Sequence, residues 1–238
     1  MIYVTGDTHG QLDRFDAPAL RKLKENDTLI ICGDFGFLWN GAKEEMNTLR
    51  KLSRHRYNIC FVDGTHENFD MLAKLKVKRW NGGKVHQIAP NIFHLIRGQV
   101  FTIEDQTIFT MGGGESPDIE IRFEMNTWSE LEFPTRDELM EGVENLQKHD
   151  GKVDIIISHE PPAKVKDFLL FKTHDDASIT AINTYLEDVG KVANSSTGTS
   201  VPCIWTSSSP QRISACSKPL STPKQASLWA DFLQKNIF

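Results

Sequence analysis

The sequence predicts an α/β protein whose first part is built from parallel βαβ units. Short apolar runs alternate with stretches in which apolar residues recur at helical spacing, and this order is typical of a parallel sheet. From residue 84 to residue 111 the apolar runs follow one another with only turn residues between them. That pattern favours antiparallel hairpins, which are expected to form a second sheet or to extend the first.

The first strand is predicted at residues 2–4, and it stops at Thr5-Gly6-Asp7-Thr8-His9-Gly10. Because alternate residues of an extended segment share a face, the Asp7 carboxylate and the His9 imidazole are expected to point the same way. The pair is a candidate metal site. On its own, however, the stretch is equally typical of a polar turn in which Asp7 caps its own backbone.

The same order of apolar run, small polar turn and ligand-type residue returns three more times. Residues 28–32 end in Gly33-Asp34, residues 57–62 run into Gly64-Thr65-His66, and residues 153–157 end in Ser158-His159. Ligands of open α/β sheets collect outside the carboxyl ends of the strands. The recurrence therefore favours the metal interpretation, with Asp7, Asp34 and His66 at one edge of one sheet.

Helices are predicted between these strands. The first, over residues 12–23, is interrupted by Pro18. The others are expected at residues 43–54, 135–149 and 178–189. Thr135 and Glu138 predict a capping box at the start of the helix at residues 135–149. Residues 112–114 are three glycines, which would either cradle a phosphate through their amides or form a flexible loop.

Composition narrows the class of protein. The apolar share of 39% and charged share of 25% are those of a soluble globule, and a net charge of -5 gives no general reason to expect nucleic acid or an anionic membrane as partner. No basic segment followed by an apolar one opens the sequence, and no apolar run reaches membrane-spanning length. Four cysteines without Cys-x-x-Cys spacing agree with the expectation of a cytoplasmic protein.

Taken together, the strand-end motifs resemble those of the calcineurin-like metallophosphoesterases in order and spacing. The motifs are Gly6-Asp7-Thr8-His9-Gly10, Gly33-Asp34, Gly64-Thr65-His66-Glu67 and Ser158-His159. Within the family, the chain looks most like small bacterial and phage phosphoesterases with a Gly-Asp-Phe-Gly second motif. The resemblance covers residue 1 to about residue 190. It implies the family's sandwich of two mixed sheets flanked by helices, and hydrolysis of a phosphate ester.

The resemblance also implies a dinuclear centre of two divalent ions of the Mn, Fe or Zn type. Asp34 corresponds to the bridging carboxylate, Asp7 and His9 to ligands of one ion, and His159 to a ligand of the other. His66 corresponds to an outer histidine that stabilises or protonates the leaving oxygen, and Glu67 is a candidate to orient it.

Other polar residues are expected to have structural roles. Asp63 is interpreted as a turn residue and Asp70 as a helix-surface residue. The histidines that lack a strand-end glycine are expected at the surface or in the core, and they are His55, His86, His94, His149 and His174.

Two departures from the family pattern predict a weakly active or inactive chain. Thr65 stands where the family has an asparagine ligand, and no histidine follows His174 to supply the family's closing Gly-His-x-His turn. The alternative function is a non-catalytic remnant or binding protein that keeps the fold. A Rossmann-type nucleotide binder is disfavoured, because no Gly-x-Gly-x-x-Gly follows the first strand. The oligomeric state is not predicted.

Two regions are predicted: a phosphoesterase domain over residues 1–192 and an atypical, poorly ordered tail over residues 193–238. The tail is rich in Ser, Thr and Pro, and it has no Asp or Glu between Gly190 and Ala230. The codons for residues 204–208, read one nucleotide later, permit Phe-Gly-His-x-His. We therefore hypothesise that the reading frame slips between about residues 189 and 201, which the coding DNA would test. An evolved disordered tail is the alternative, and only residues 227–238 have the pattern of a short helix.

Overall fold

The computed structural model describes residues 1–173, 178–197, 201, 203–204 and 211–213. Outside the described residues lie His174 and most of the predicted tail at residues 193–238. The helix expected at residues 227–238 belongs to this part.

Two mixed β-sheets form the centre of the described chain. The strands are β1 (Ile2–Thr5), β2 (Thr28–Ile31), β3 (Asn58–Phe61), β4 (Val77–Trp80), β5 (Gly83–Ala89), β6 (Ile92–Leu95), β7 (Gln99–Ile103), β8 (Gln106–Met111), β9 (Ile155–Ser158), β10 (Cys203–Ile204) and β11 (Gln211–Ile213). The first sheet has the order β11-β1-β2-β3-β6-β5-β4, and the second has the order β10-β9-β8-β7. The predicted fold class is confirmed.

Helices cover the outer faces of both sheets. The helices of the described chain are α1 (Lys43–Leu52), α2 (Phe69–Ala73), α3 (Ile119–Glu124), α4 (Arg136–Lys148), α5 (Ala163–Thr173) and α6 (Ala181–Thr197), with 3₁₀ helices at Leu12–Asp16, Leu20–Lys22 and Glu130–Glu132. The interrupted helix predicted at residues 12–23 is thus two 3₁₀ turns. The capping box of α4 forms as predicted, since Glu138 N–H donates to the Thr135 hydroxyl and Thr135 N–H donates to the Glu138 carboxylate.

Three apolar clusters hold these layers together. One lies between the sheets and joins residues of β1–β3, such as Ile30 and Cys60, to Ile155 and Ile157 of β9. The second packs the other face of the first sheet under α1, and the third packs the outer face of the second sheet under α4 and α6. Because both faces of β2 and β3 are buried, their sequences read as continuous apolar runs rather than as alternating patterns.

The parallel strands β1, β2 and β3 lie side by side, as the βαβ pattern predicts. Strand β6, which comes from the region predicted as antiparallel hairpins, pairs in parallel with β3. Both expectations for the hairpin region are realised: β5 and β6 extend the first sheet, and β7 and β8 enter the second. The turn between β7 and β8 consists of Glu104 and Asp105, whose positive φ angles of 48° and 63° suit a tight hairpin. Strand β9 lies in the second sheet, parallel to β8.

Residues beyond the predicted domain end also take part in this fold. Helix α6 continues to Thr197, β10 pairs in parallel with β9, and β11 pairs antiparallel with β1. None of the helices in the described part of the chain has the length and apolarity that crossing a bilayer requires.

Candidate metal centre

Three ligand-type residues meet where β1 and β2 end. The His9 Nε2 atom lies 3.8 Å from an Asp7 carboxylate oxygen and 3.8 Å from an Asp34 carboxylate oxygen. Ligand atoms of Asp7, His9 and Asp34 all lie within 4.8 Å of one another, close enough for one ion to contact all three. The sequence pattern placed Asp7 and Asp34 at this edge, and the structure brings them together.

His159 reaches the same place from the second sheet. Its Nδ1 atom lies 3.6 Å from Asp7 Oδ1 and 3.0 Å from the Cys32 carbonyl oxygen. This approach requires a glycine at position 33, because a Cβ atom there would lie 2.0 Å from His159 Nδ1. Gly33 also has φ of 129°, which other residues rarely adopt.

Gly64 has the equivalent role beside Asp34. A Cβ atom on Gly64 would lie 2.0 Å from Asp34 Oδ1. The glycines of the second and third motifs therefore leave space for a ligand that arrives from another strand. This gives a physical reason for the recurring glycine in the sequence pattern.

The two turns that carry His9 and Asp34 fix each other. Both residues have left-handed backbones, with φ of 44° and 41°, and such conformations persist where the surroundings over-determine them. The His9 amide donates to the Asp34 carbonyl at 2.8 Å, and the Thr8 hydroxyl donates to the Phe35 carbonyl at 2.8 Å. The two candidate ligands are thus held at a defined separation.

His66 lies against Asp34. Its amide donates to Asp34 Oδ1 at 2.8 Å, and its ring Nδ1 lies 3.1 Å from Asp34 Oδ2. Burial alone would raise the pKa of Asp34, but hydrogen bonds from His66 and the charge of His159 outweigh it and lower this pKa to about 2. The hydrogen bond to Asp34 raises the pKa of His66 to about 9, against the opposing effect of burial. Near neutral pH the pair is therefore a carboxylate and an imidazolium.

Thr65 is buried beside His66, and its hydroxyl oxygen lies 3.0 Å from His66 Nδ1. The sequence reasoning missed a further neighbour of this ring, Asp118, whose Oδ2 atom lies 3.3 Å from His66 Nε2. No strand-end motif marks Asp118, so the sequence carried no signal for it.

Glu67 does not orient His66 as expected. One of its carboxylate oxygens instead accepts the Phe35 amide at 2.8 Å and the Gly64 amide at 3.5 Å. It thereby ties the turn after β2 to the turn after β3. The expectation was wrong because neighbours in a turn need not point at the same partner.

Glu67 also predicts a pH dependence of stability. Burial, followed by the charges of Asp34 and Asp63, raises its pKa to about 8 from 4.5, although backbone hydrogen bonds oppose the shift. Between these values the folded chain keeps a proton that the unfolded chain releases, so stability falls as pH rises. We expect Glu67→Gln to stabilise the metal-free protein by a few kcal/mol above pH 8, with no gain below pH 4.5.

Urea unfolding in the presence of a chelator at several pH values measures this difference. The control is Glu115→Gln, which changes an exposed glutamate and should leave the curve unaltered. A stability gap between Glu67→Gln and wild type that does not change with pH would contradict the expectation.

Asp63 is more than a turn residue. It is buried, and its carboxylate accepts the Arg97 Nε–H at 2.8 Å and the Arg97 Nη2–H at 2.6 Å, while its other oxygen lies 3.0 Å from His94 Nε2. The Arg97 charge helps to hold the pKa of Asp63 well below its usual range, although burial acts in the opposite direction. His94 is a core histidine, as expected.

The three glycines at residues 112–114 do not offer a free phosphate cradle. The Gly113 amide donates to the Asp63 carbonyl at 2.9 Å, and the Gly114 amide donates to the Glu132 carbonyl at 3.0 Å. A Cβ atom on Gly112 would lie 2.3 Å from Asp63 Oδ1. These glycines permit close packing of the loop after β8 against the loop after β3.

The donor set fits a divalent transition ion. Two carboxylates with an imidazole, and a second imidazole close by, give the mixed oxygen and nitrogen ligands that borderline ions such as Mn, Fe and Zn accept. Asp34 is ionised near neutral pH, so no proton needs to leave it before an ion binds.

Comparison with known proteins agrees with this geometry. The family model for calcineurin-like phosphoesterases matches residues 1–186. No curated protein matches the chain.

Proposed function

The chain belongs to the calcineurin-like phosphoesterase family, and from this premise we propose that it hydrolyses a phosphate ester with divalent metal ions held beside Asp34. The observation that carries the proposal is the convergence of Asp7, His9 and Asp34 ligand atoms within 4.8 Å. The family carries the expectation of metal-dependent phosphate-ester chemistry.

In this proposal Asp7 and His9 would hold one ion and His159 a second, with Asp34 available to both. Bound ions would supply activation of water and neutralisation of the phosphoryl charge. In the metal-free chain the hydrogen bond to Asp34 raises the pKa of His66 to about 9. In the proposed reaction His66 donates a proton to the leaving oxygen of the ester, a role that suits a partly exposed imidazole beside the centre.

The proposal is tested by loading the purified protein with Mn, Fe or Zn and measuring hydrolysis of p-nitrophenyl phosphate and bis-p-nitrophenyl phosphate. Metal content is measured on the same samples. Metal-dependent hydrolysis that a chelator removes supports the phosphoesterase. Metal binding without hydrolysis supports the alternative, a binding protein that keeps the fold.

We propose further that the chain is a weak member of its family. Thr65 offers only a short neutral hydroxyl, and that hydroxyl lies 3.0 Å from His66 Nδ1. No histidine follows His174 in the sequence. Without a Gly-His-x-His turn each ion would lose one protein ligand, and Thr65 would weaken a further ligand of the second ion, so the second ion should be held less tightly.

Thr65→Asn is expected to strengthen metal binding and to raise hydrolysis, each by about tenfold. The amide oxygen of asparagine reaches farther than the threonine hydroxyl and is a better donor to a divalent ion. Metal titration and kcat/KM for p-nitrophenyl phosphate measure the gain. Thr65→Val, which keeps the shape and removes the hydroxyl, should behave like wild type. Weaker metal binding in Thr65→Asn than in Thr65→Val would contradict the prediction.

The out-of-frame origin of the tail and the cytoplasmic location stay predictions. One structural observation bears on the out-of-frame origin of the tail. Cys203 and Ile204 of β10 pair in parallel with Ile156 and Ile157 of β9, so the carboxyl end of β10 lies beside Ser158 and His159. A histidine-containing turn encoded directly after β10 would therefore begin close to the centre.

A further inference from the structure

The ring of His66 is held between two carboxylates. Its Nδ1 atom lies 3.1 Å from Asp34 Oδ2, on the side of the candidate ligands, and its Nε2 atom lies 3.3 Å from Asp118 Oδ2, on the opposite side. A ring contacted at both nitrogens has little freedom to rotate or flip. Asp118 is therefore in a position to determine which nitrogen faces the centre.

The Asp118 side chain does not have the structural role that its position suggests. Asp118 is the residue before α3, where an aspartate commonly accepts hydrogen bonds from the first free amides of a helix. Its side chain makes no such capping hydrogen bond. The carboxylate is directed to His66 instead, so removing it does not uncap the helix.

The backbone around Asp118 is held by a buried network that does not include its side chain. Glu132 accepts hydrogen bonds from the Ser116 amide at 3.1 Å and the Ser116 hydroxyl at 2.9 Å, and it pairs with Arg122 Nη1 at 2.8 Å. The Arg122 amide in turn donates to the Asp118 carbonyl at 3.0 Å. Since Glu132 and Arg122 are buried, the backbone of Asp118 is held in place while its carboxylate contacts His66.

We propose that Asp118 is a positioning residue that holds the His66 ring with Nδ1 toward the metal centre, where its proton can reach the leaving oxygen. The inference rests on the proposed phosphoesterase function. In the reaction, water adds to phosphorus, the ester P–O bond breaks, and the Nδ1 proton moves to the leaving oxygen to form an alcohol. The proton that the attacking water releases passes to solvent, and His66 regains one from solvent.

The leaving group provides the kinetic test. A nitrophenolate leaves without protonation, whereas an alkoxide needs a proton. We expect Asp118→Ala to lower kcat/KM for an alkyl phosphate by about tenfold and to leave p-nitrophenyl phosphate within about twofold, at unchanged metal content. Asp118→Asn keeps an acceptor atom and should lie between Asp118→Ala and wild type.

The control is Glu115→Ala, which removes an exposed carboxylate from the same loop. It should not change the ratio of the two kcat/KM values, for the alkyl phosphate and for p-nitrophenyl phosphate. A general loss of structure would lower both rates by the same factor. Equal losses on the two substrates, or no loss on either, would therefore overturn the proposal.

A second measurement does not depend on hydrolysis. In the metal-free protein, nitrogen NMR of the histidine rings, with His66 assigned by its absence in His66→Gln, should show Nε2 protonated and hydrogen-bonded. Asp118→Ala should shift this signal, and Glu115→Ala should not. An unshifted His66 ring in Asp118→Ala would also overturn the proposal. If wild type hydrolyses neither substrate, the proposed function fails, while the NMR result still decides whether Asp118 positions His66.

Discussion

Replacing Asp34 with asparagine is expected to abolish metal-dependent hydrolysis while the fold stays intact. Asp34 lies within ligand distance of Asp7 and His9, and its carboxylate is ionised near neutral pH. The change removes the negative charge, so both ion affinity and turnover should fall by more than about 100-fold. The amide oxygen of asparagine can still accept the His66 amide, which donates to Asp34 Oδ1 at 2.8 Å in wild type.

Metal content, hydrolysis of p-nitrophenyl phosphate and urea unfolding without metal measure the three parts of this prediction. The matched control is Asp13→Asn, which changes an exposed aspartate and should leave all three unaltered. Wild-type hydrolysis by the Asp34→Asn variant would contradict the proposed function. Loss of folding in the same variant would instead show that Asp34 has a structural role.

Replacing Asp63 with asparagine is expected to destabilise the protein by about 3–5 kcal/mol, because the change leaves the buried Arg97 guanidinium without its closest counterion. Arg97 also pairs with Glu138 at 3.1 Å and donates to the carbonyls of residues 131–133. These contacts anchor the chain before α4 to the loop after β3. Loss of the Asp63 carboxylate should therefore lower the free energy of global unfolding and not only loosen the local turn.

Urea unfolding of the metal-free protein measures this effect, with Asp105→Asn as the control. Asp105 is exposed, and its positive φ of 63° is one that asparagine adopts readily. The double variant Asp63→Asn/Arg97→Met should lose less stability than the two single variants added together, since it removes both charges of the buried Asp63–Arg97 pair and leaves neither without the other. If the stability losses of the two single variants simply add in the double variant, Asp63 and Arg97 have no interaction energy with each other.

The elements that could be predicted from sequence are those with a strong local pattern. Strands β1–β3 are buried on both faces, and their apolar runs are bounded by turn residues. Helix α4 carries a complete capping box at Thr135 and Glu138. The convergence of Asp7 and Asp34 followed from a general property of parallel strands, whose carboxyl ends meet at one edge.

The elements that escaped prediction lack such a pattern. Strand β4 is exposed at Val77, Lys78 and Arg79, and within the described part of the chain its one partner is β5, at the edge of the sheet. Helix α5 exposes Phe168 and Phe171, so its apolar residues do not mark a buried stripe. Long-range contacts such as Asp63 with Arg97 depend on which strands become neighbours in a sheet, here β3 and β6, and spacing along the chain does not reveal them.

The candidate centre spans both sheets, with Asp7 and Asp34 on the first and His159 on the second. These residues are far apart in the chain, so the site exists only after strands with large sequence separation have docked, a late and slow event in folding. An ion that binds there stabilises the native state and not the unfolded chain. Its effect should therefore fall on the unfolding rate, so that the metal lengthens the lifetime of the folded protein without accelerating its formation.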